Sequence, residues 1–201
     1  MNALFRPSKK EDCPALAALK IEAAGGILDY MFQGLTRDED LTDFLARTLA
    51  DENNGPFSYT ACFTAELNGR VAGMAAVHPA SLLEITPGMR EFFPPERLER
   101  LAPILTARVE ESLFIQTLAV FPKVRRLGLG SSLVAMCVRQ ALERGFHTLS
   151  LQVMADNCGG RRFYERHGFS FVKLLPLPRH ELIPHQGGVI LLKRDAVLAG
   201  R

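Results

Sequence analysis

The 201-residue sequence lacks a charge bias, a long apolar run and any close pair of cysteines. Against 22 Asp and Glu stand 24 Lys and Arg, a net charge of +2, which is too small for a nucleic-acid coat. No apolar run reaches the ~18 residues of a membrane span, so no membrane partner is expected. Arg6 interrupts the N-terminal segment before a signal-peptide core forms, and the expected compartment is the cytoplasm. The four cysteines, at 13, 62, 137 and 158, make no C-x-x-C pair, which argues against a disulfide framework or a zinc site. His180-Glu181 and His185 miss the metalloprotease spacing by one residue, and Pro184 interrupts any helix there. No metal is expected.

What is present is an ordinary globular composition, 47% apolar and 23% charged, enough for one α/β domain over 1–201. Ala3 to Arg6 reads as a strand, and Pro14 opens a helix running to about Ala24. Gly25-Gly26 breaks it, a helical stretch continues through Asp29, Tyr30 and Phe32, and Asp40 caps a further helix. Ser58 to Glu66 and Val71 to His78 read as strands joined by the hairpin signal Asn68-Gly69. Residues 79–111 hold five of the twelve prolines and read as an excursion between strands. Leu113 to Val120 is an apolar strand, Gly130 to Arg144 a helix, and Leu149 to Val153 a strand. Asn157 to His167 is helical up to Gly168, and Phe169 to Leu175 and Gly188 to Lys193 close the sheet.

The near-neutral total conceals a split: residues 1–113 carry 11 basic and 17 acidic side chains (−6), residues 114–201 carry 13 and 5 (+8). This suits an anionic ligand on the C-terminal half and a cationic one steered by Asp29, Asp38, Glu39, Asp40 and Asp43 on the other.

Two constellations carry chemistry. In Arg125-Arg126-Leu127-Gly128-Leu129-Gly130-Ser131, glycines let a backbone approach a ligand where a helix begins, and the free amides there favour an anion. No Gly-Lys-Ser/Thr follows, so it is not a Walker loop, and Leu133 stands where a dinucleotide fingerprint needs its third glycine. In the second, Asn157, Arg161 and Tyr164 recur at helical spacing, and Gly168-Phe169 follow.

In this order, about 27 residues apart, the two constellations resemble the GNAT superfamily of acyl-CoA-dependent N-acyltransferases. The match covers about residues 112–172, with Leu118-Ala119-Val120 as the strand triplet before the loop. The resemblance implies a single domain with a mixed, mostly antiparallel sheet of about six or seven strands flanked by helices, splayed at Leu118 to Val120. It implies acetyl-CoA as cosubstrate. Its pyrophosphate would lie on the amides of 125–131, assisted by Arg125 or Arg126, and its arm on Leu118, Ala119, Val120, Asn157 and Arg161. The Leu118 amide would polarise the thioester carbonyl, and Tyr164 would protonate the leaving thiolate. The acceptor would be a small-molecule or peptide amine that attacks directly, and the protein a monomer or homodimer. A CoA-binding sensor without turnover is the rival reading.

The base is open. Some members of the superfamily place a glutamate on this strand, where the present chain has Gln116, which cannot accept a proton. Glu110 and Glu111 are the candidates just ahead of it, with Glu22 and His78 behind them. Cys158, at a helix start beside Arg161, has the setting of a reactive thiol, but the motif gives it no role. Glu22, Tyr30, Phe32 and His78 are the candidate acceptor-site residues.

Overall fold

The structure, a computed structural model, describes residues 3–197. Its strands are β1 (Ala3–Pro7), β2 (Cys62–Leu67), β3 (Arg70–Pro79), β4 (Ser112–Val120), β5 (Thr148–Met154), β6 (Ser170–Leu175) and β7 (Val189–Asp195). Its α-helices are α1 (Cys13–Ala24), α2 (Ile27–Phe32), α3 (Leu41–Leu49), α4 (Pro87–Phe92), α5 (Pro95–Leu105), α6 (Leu129–Glu143) and α7 (Cys158–Arg166). The strands form one seven-stranded, mostly antiparallel sheet in the order β1-β2-β3-β4-β5-β7-β6, the α/β architecture expected. The residue range 1–201 of the expected domain runs past the described residues at both ends, and the chain divides into two compact units. One holds residues 1–24, 33–78 and 115–137; the other holds 25–32, 79–114 and 138–201. Strand β4 and helix α6 run through both.

In the first unit, Asn68 and Gly69 both have positive φ, 51° and 73°, the backbone that a two-residue hairpin turn demands. Asp40 caps α3 by accepting from the Thr42 amide at 2.7 Å. The expected strand from Ser58 begins only at Cys62. Ser58 instead accepts from the Thr60 amide, and this local bond holds residues 59–61 in a single turn of 3-10 helix. Leu16, Leu19, Cys62 and Met74 are fully buried in this unit's core.

A polar knot ties the unit's opening segment to β2. Arg6 pairs with Asp12 at 2.7 Å and with Glu66 at 2.8 Å, while Asp12 also accepts from the Lys9 amide and the Thr64 hydroxyl. Burial pushes the Asp12 carboxyl up, but the bonds from Arg6, the Lys9 amide and Thr64 outweigh it and hold it below the ordinary carboxylate range.

In the second unit, the apolar cluster is built from α2 (Tyr30, Met31), α5 (Leu98, Leu101, Ile104), Met154, Ile183 and the β7 side chains Val189 and Leu191. The proline-rich excursion is therefore largely helical, since Pro87 and Pro95 occupy first-turn positions that need no amide hydrogen. At the sheet edge, β6 leaves Phe171 and Leu174 exposed, with a register shift between Phe171 and Lys173.

Replacing Asp12 with Asn removes the anion from the Arg6 knot and is expected to cost about 2–3 kcal/mol. Thermal melting at neutral pH should fall by roughly 5–10 °C. A depressed carboxyl stabilises the fold above its unfolded pKa of ~3.9, and that stabilisation is lost as pH falls through the folded value. The gap between wild type and Asp12→Asn should therefore be full at neutral pH and narrow under acid.

Candidate active site

In the first unit the site is built around the end of β4. Gly73 on β3 lets the strands approach, because a Cβ there would stand 2.7 Å from the Ala119 carbonyl oxygen and 3.0 Å from a Val120 methyl. The Phe121 amide then donates to the Ala72 carbonyl at 2.9 Å, fixing where the chain leaves the strand. Residues 122–124 make one turn of 3-10 helix. Arg126 and Gly128 both take left-handed backbone, φ 65° and 80°, and this double bend delivers Leu129 as the first residue of α6. The first amides of a helix have no acceptor within it, and they carry the positive end of the helix dipole. Around Gly128 a Cβ would meet nothing within 4 Å, so that face of the loop is open to a ligand. These residues fit an anionic group such as a pyrophosphate.

Arg125 is occupied differently from the expectation. Its Nε donates to the Val120 carbonyl at 3.0 Å, and its Nη2 pairs with Glu22. The structure thus brings together two residues expected to serve different ligands. Lys20, one helical turn before Ala24, donates from Nζ to the Gln116 Oε1 at 2.6 Å. His78, an expected acceptor-site residue, is buried in β3.

In the second unit, α7 carries the other constellation. Asn157 is not inside the helix as its spacing suggested; it is the N-cap, and its Oδ1 accepts from the Gly160 amide at 2.8 Å. Arg161 donates to the Ala155 carbonyl at 3.1 Å, anchoring α7 to the end of β5. Tyr164 is half-buried, its ring edge-on to Phe163 and Phe169 at 5.3 and 5.6 Å. Gly168 follows with φ 80° and stops the helix, as the sequence predicts.

The remaining expected residues of this unit lie elsewhere or are engaged. Tyr30 is buried under Arg97 and Arg100, and its hydroxyl accepts from the Arg100 Nε at 3.1 Å. Phe32 packs edge-on against Phe93 at 5.1 Å. Glu110 pairs with Arg108 at 2.8 Å, and Glu111, with φ 55°, turns the chain into β4. Both glutamates are exposed ahead of Ser112, whereas Leu118 is six residues further along that strand, ~20 Å at the strand rise. Asp156 was not singled out from sequence: its carboxylate accepts from the His185 ring and the Gln186 amide, both at 2.8 Å.

The acetyltransferase (GNAT) family model matches residues 28–169, which is most of the chain. The chain belongs to the GNAT acetyltransferase family. Among curated proteins, GCN5-related N-acetyltransferase 10, chloroplastic, of Arabidopsis thaliana is 25% identical over 156 residues, covering 76% of this GNAT chain and 56% of the relative. The chain thus spans just over half the length of the curated relative it matches. An N-acetyltransferase from Staphylococcus aureus Mu50 aligns with TM-score 0.67 and 17% identity, over 94% of this chain and 99% of that one. The PaiA N-acetyltransferase from Thermoplasma acidophilum, solved in complex with coenzyme A, aligns with TM-score 0.56 and 13% identity, over 97% and 99%. At such identities the likeness is one of fold. No helix among the described residues is long and apolar enough to cross a membrane.

Because Gly73 seats the end of β4, Gly73→Ala should push against the Ala119 carbonyl and cost about 1–3 kcal/mol. Melting of this variant should fall by several degrees. An unchanged melting temperature would mean that β3 and the end of β4 separate freely.

Proposed function

We propose that this chain transfers an acetyl group from acetyl-CoA to a primary amine, small or peptide-borne, by direct attack on the thioester. The observation that carries this is the Arg126–Gly128 double bend opening α6, an anion cradle at the position the family motif requires. The open face at Gly128 and the capped α7 bearing Tyr164 support it. In this reading the amides of Leu127 to Ser131 hold the pyrophosphate, and Arg126 and Lys123 add charge. Arg125 supports the loop through Val120 and Glu22. Asn157 and Arg161 shape the start of α7, beside which the cofactor arm runs.

The reaction forms a C–N bond and breaks a C–S bond. The Leu118 amide donates to the carbonyl oxygen as it gains negative charge, when the donor is worth most. Tyr164, whose phenol O–H can act as a general acid, gives its proton to the departing thiolate. No covalent enzyme intermediate is needed, and Cys158 takes no part. Three of the four cysteines are buried as free thiols, which fits the reducing cytoplasm. The acidic acceptor approach has less support: Asp40 caps α3 and Glu39 pairs with Arg47, so two of the five acids already have local partners.

Acetyl-CoA or CoA should raise the melting temperature by mass action, and no rise at ~100 times the expected Kd would end this reading. Tyr164→Phe should keep that rise yet lower kcat ~10- to 10³-fold in a CoA-release assay over an amine panel. Binding without release by the wild type for any amine would instead favour the sensor.

A further inference from the structure

An amine acceptor is an ammonium in solution, and its nitrogen must shed protons as it bonds to the thioester carbon. On β4 the polar side chains are Ser112, Gln116 and Thr117, none of which is a base. Glu110 and Glu111 stand at the far end of that strand, and Glu22 is held by Arg125.

His78, buried on the neighbouring β3, is one titratable group beside β4, and Lys20, bonded to Gln116, is another. Its Nζ lies 2.6 Å from the Gln116 Oε1. Residues 116 and 118 are two apart on a strand, so their side chains leave the same face with Cβ atoms ~7 Å apart. Gln116 is the hydrogen-bond partner of this amine, and it is neutral. A packed ammonium with only a neutral partner is unfavourable, because burial penalises the charged form and nothing nearby compensates. The residue as a whole is half-buried, and desolvation at its amine pushes it below the ordinary lysine range. The opposing influence is Cys62 on β2, a buried thiol itself pushed up by burial and so uncharged at neutral pH. One turn either side of Lys20, α1 presents Leu16, Ala17, Ala23 and Ala24, and its carboxylate Glu22 is paired with Arg125.

We propose that Lys20 is the proton acceptor of the reaction, its neutral amine oriented by Gln116 toward the acceptor nitrogen. The inference rests on the acetyl-transfer reading above. Gln116 takes one N–H of the amine and leaves the nitrogen lone pair for the incoming proton. The bound ammonium first gives one proton to water and becomes the free amine; as the C–N bond forms its second proton passes to Lys20, the C–S pair leaves with sulfur, and Tyr164 protonates the thiolate. Lys20 then returns its proton to water and the Tyr164 phenolate regains one. The amide at position 116 matters for this role: a carboxylate there would hold Lys20 charged and block it.

The test is the pH profile of kcat, with the amine found in the release assay. Lys20→Met should keep the acetyl-CoA-induced rise in melting temperature, lose ~10²- to 10⁴-fold in kcat, and lose the acidic limb of the wild-type profile. Lys20→Arg should be as poor, since a guanidinium does not become neutral. Gln116→Glu should move the acidic limb to higher pH and recover activity there, which a purely structural Lys20 would not produce. Wild-type kcat with an unchanged limb in Lys20→Met overturns the proposal, as does a loss confined to KM or a more active Gln116→Glu. Should Lys20→Met fail to fold, the direction of the Gln116→Glu shift decides. Absence of CoA release by the wild type defeats the acetyl-transfer reading itself, whereas release that is indifferent to Lys20 defeats only this inference.

Discussion

Arg125 donates from Nε to the Val120 carbonyl and pairs through Nη2 with Glu22, so one planar side chain joins the end of β4, the glycine loop and α1. The candidate residues of the first unit depend on that junction. The carbonyl it satisfies lies at the end of the strand, and the helix it holds carries Lys20 and Glu22. The pair is half-exposed, and such pairs hold geometry at small cost in free energy. Glu22 also offsets much of the charge on Arg125. In the proposed reading, a pyrophosphate at this loop would be met chiefly by backbone dipoles, with Arg126 and Lys123 adding charge.

Local chemistry was legible in the sequence, and long-range commitments were not. The Asn68-Gly69 hairpin, the Asp40 cap and the Gly168 stop are each decided by residues within a few positions, and all three are in place. The Ser58 turn is equally local, but the β-branched and aromatic run behind it masked the cap. Asn157 was placed on a helix face by periodicity, yet a short polar side chain at a helix start gains more by accepting the Gly160 amide. The Arg125–Glu22 and Lys20–Gln116 pairs join residues about a hundred positions apart, and no single-sequence pattern announces them.

Gly25-Gly26 illustrates the same division. Two successive glycines predict a helix break, and their φ values, 55° and 87°, agree. A stronger reason is tertiary: a Cβ on Gly26 would lie 1.9 Å from the Leu182 carbonyl oxygen, and one on Gly25 would meet the His185 ring at 2.6 Å. The segment after β6 therefore lies directly on the α1–α2 turn. Its histidines are absorbed by that packing, His180 against Tyr30 at 4.3 Å and His185 on Asp156. The interrupted metalloprotease spacing reflects a latch between two loops.

The strand order has a consequence for how the chain is made. β5 and β6 both pair with β7, which follows both of them in the chain and is the last of the described strands. β6, at the sheet edge with Phe171 and Leu174 bare on its surface, waits unpaired until the ribosome has passed Asp195. An unpaired edge of this kind invites other nascent chains, and the Lys173 charge with its neighbouring register shift is the form of protection that edge strands use. Lys173 touches neither motif, yet it puts a charge where an open strand edge would otherwise accept another strand.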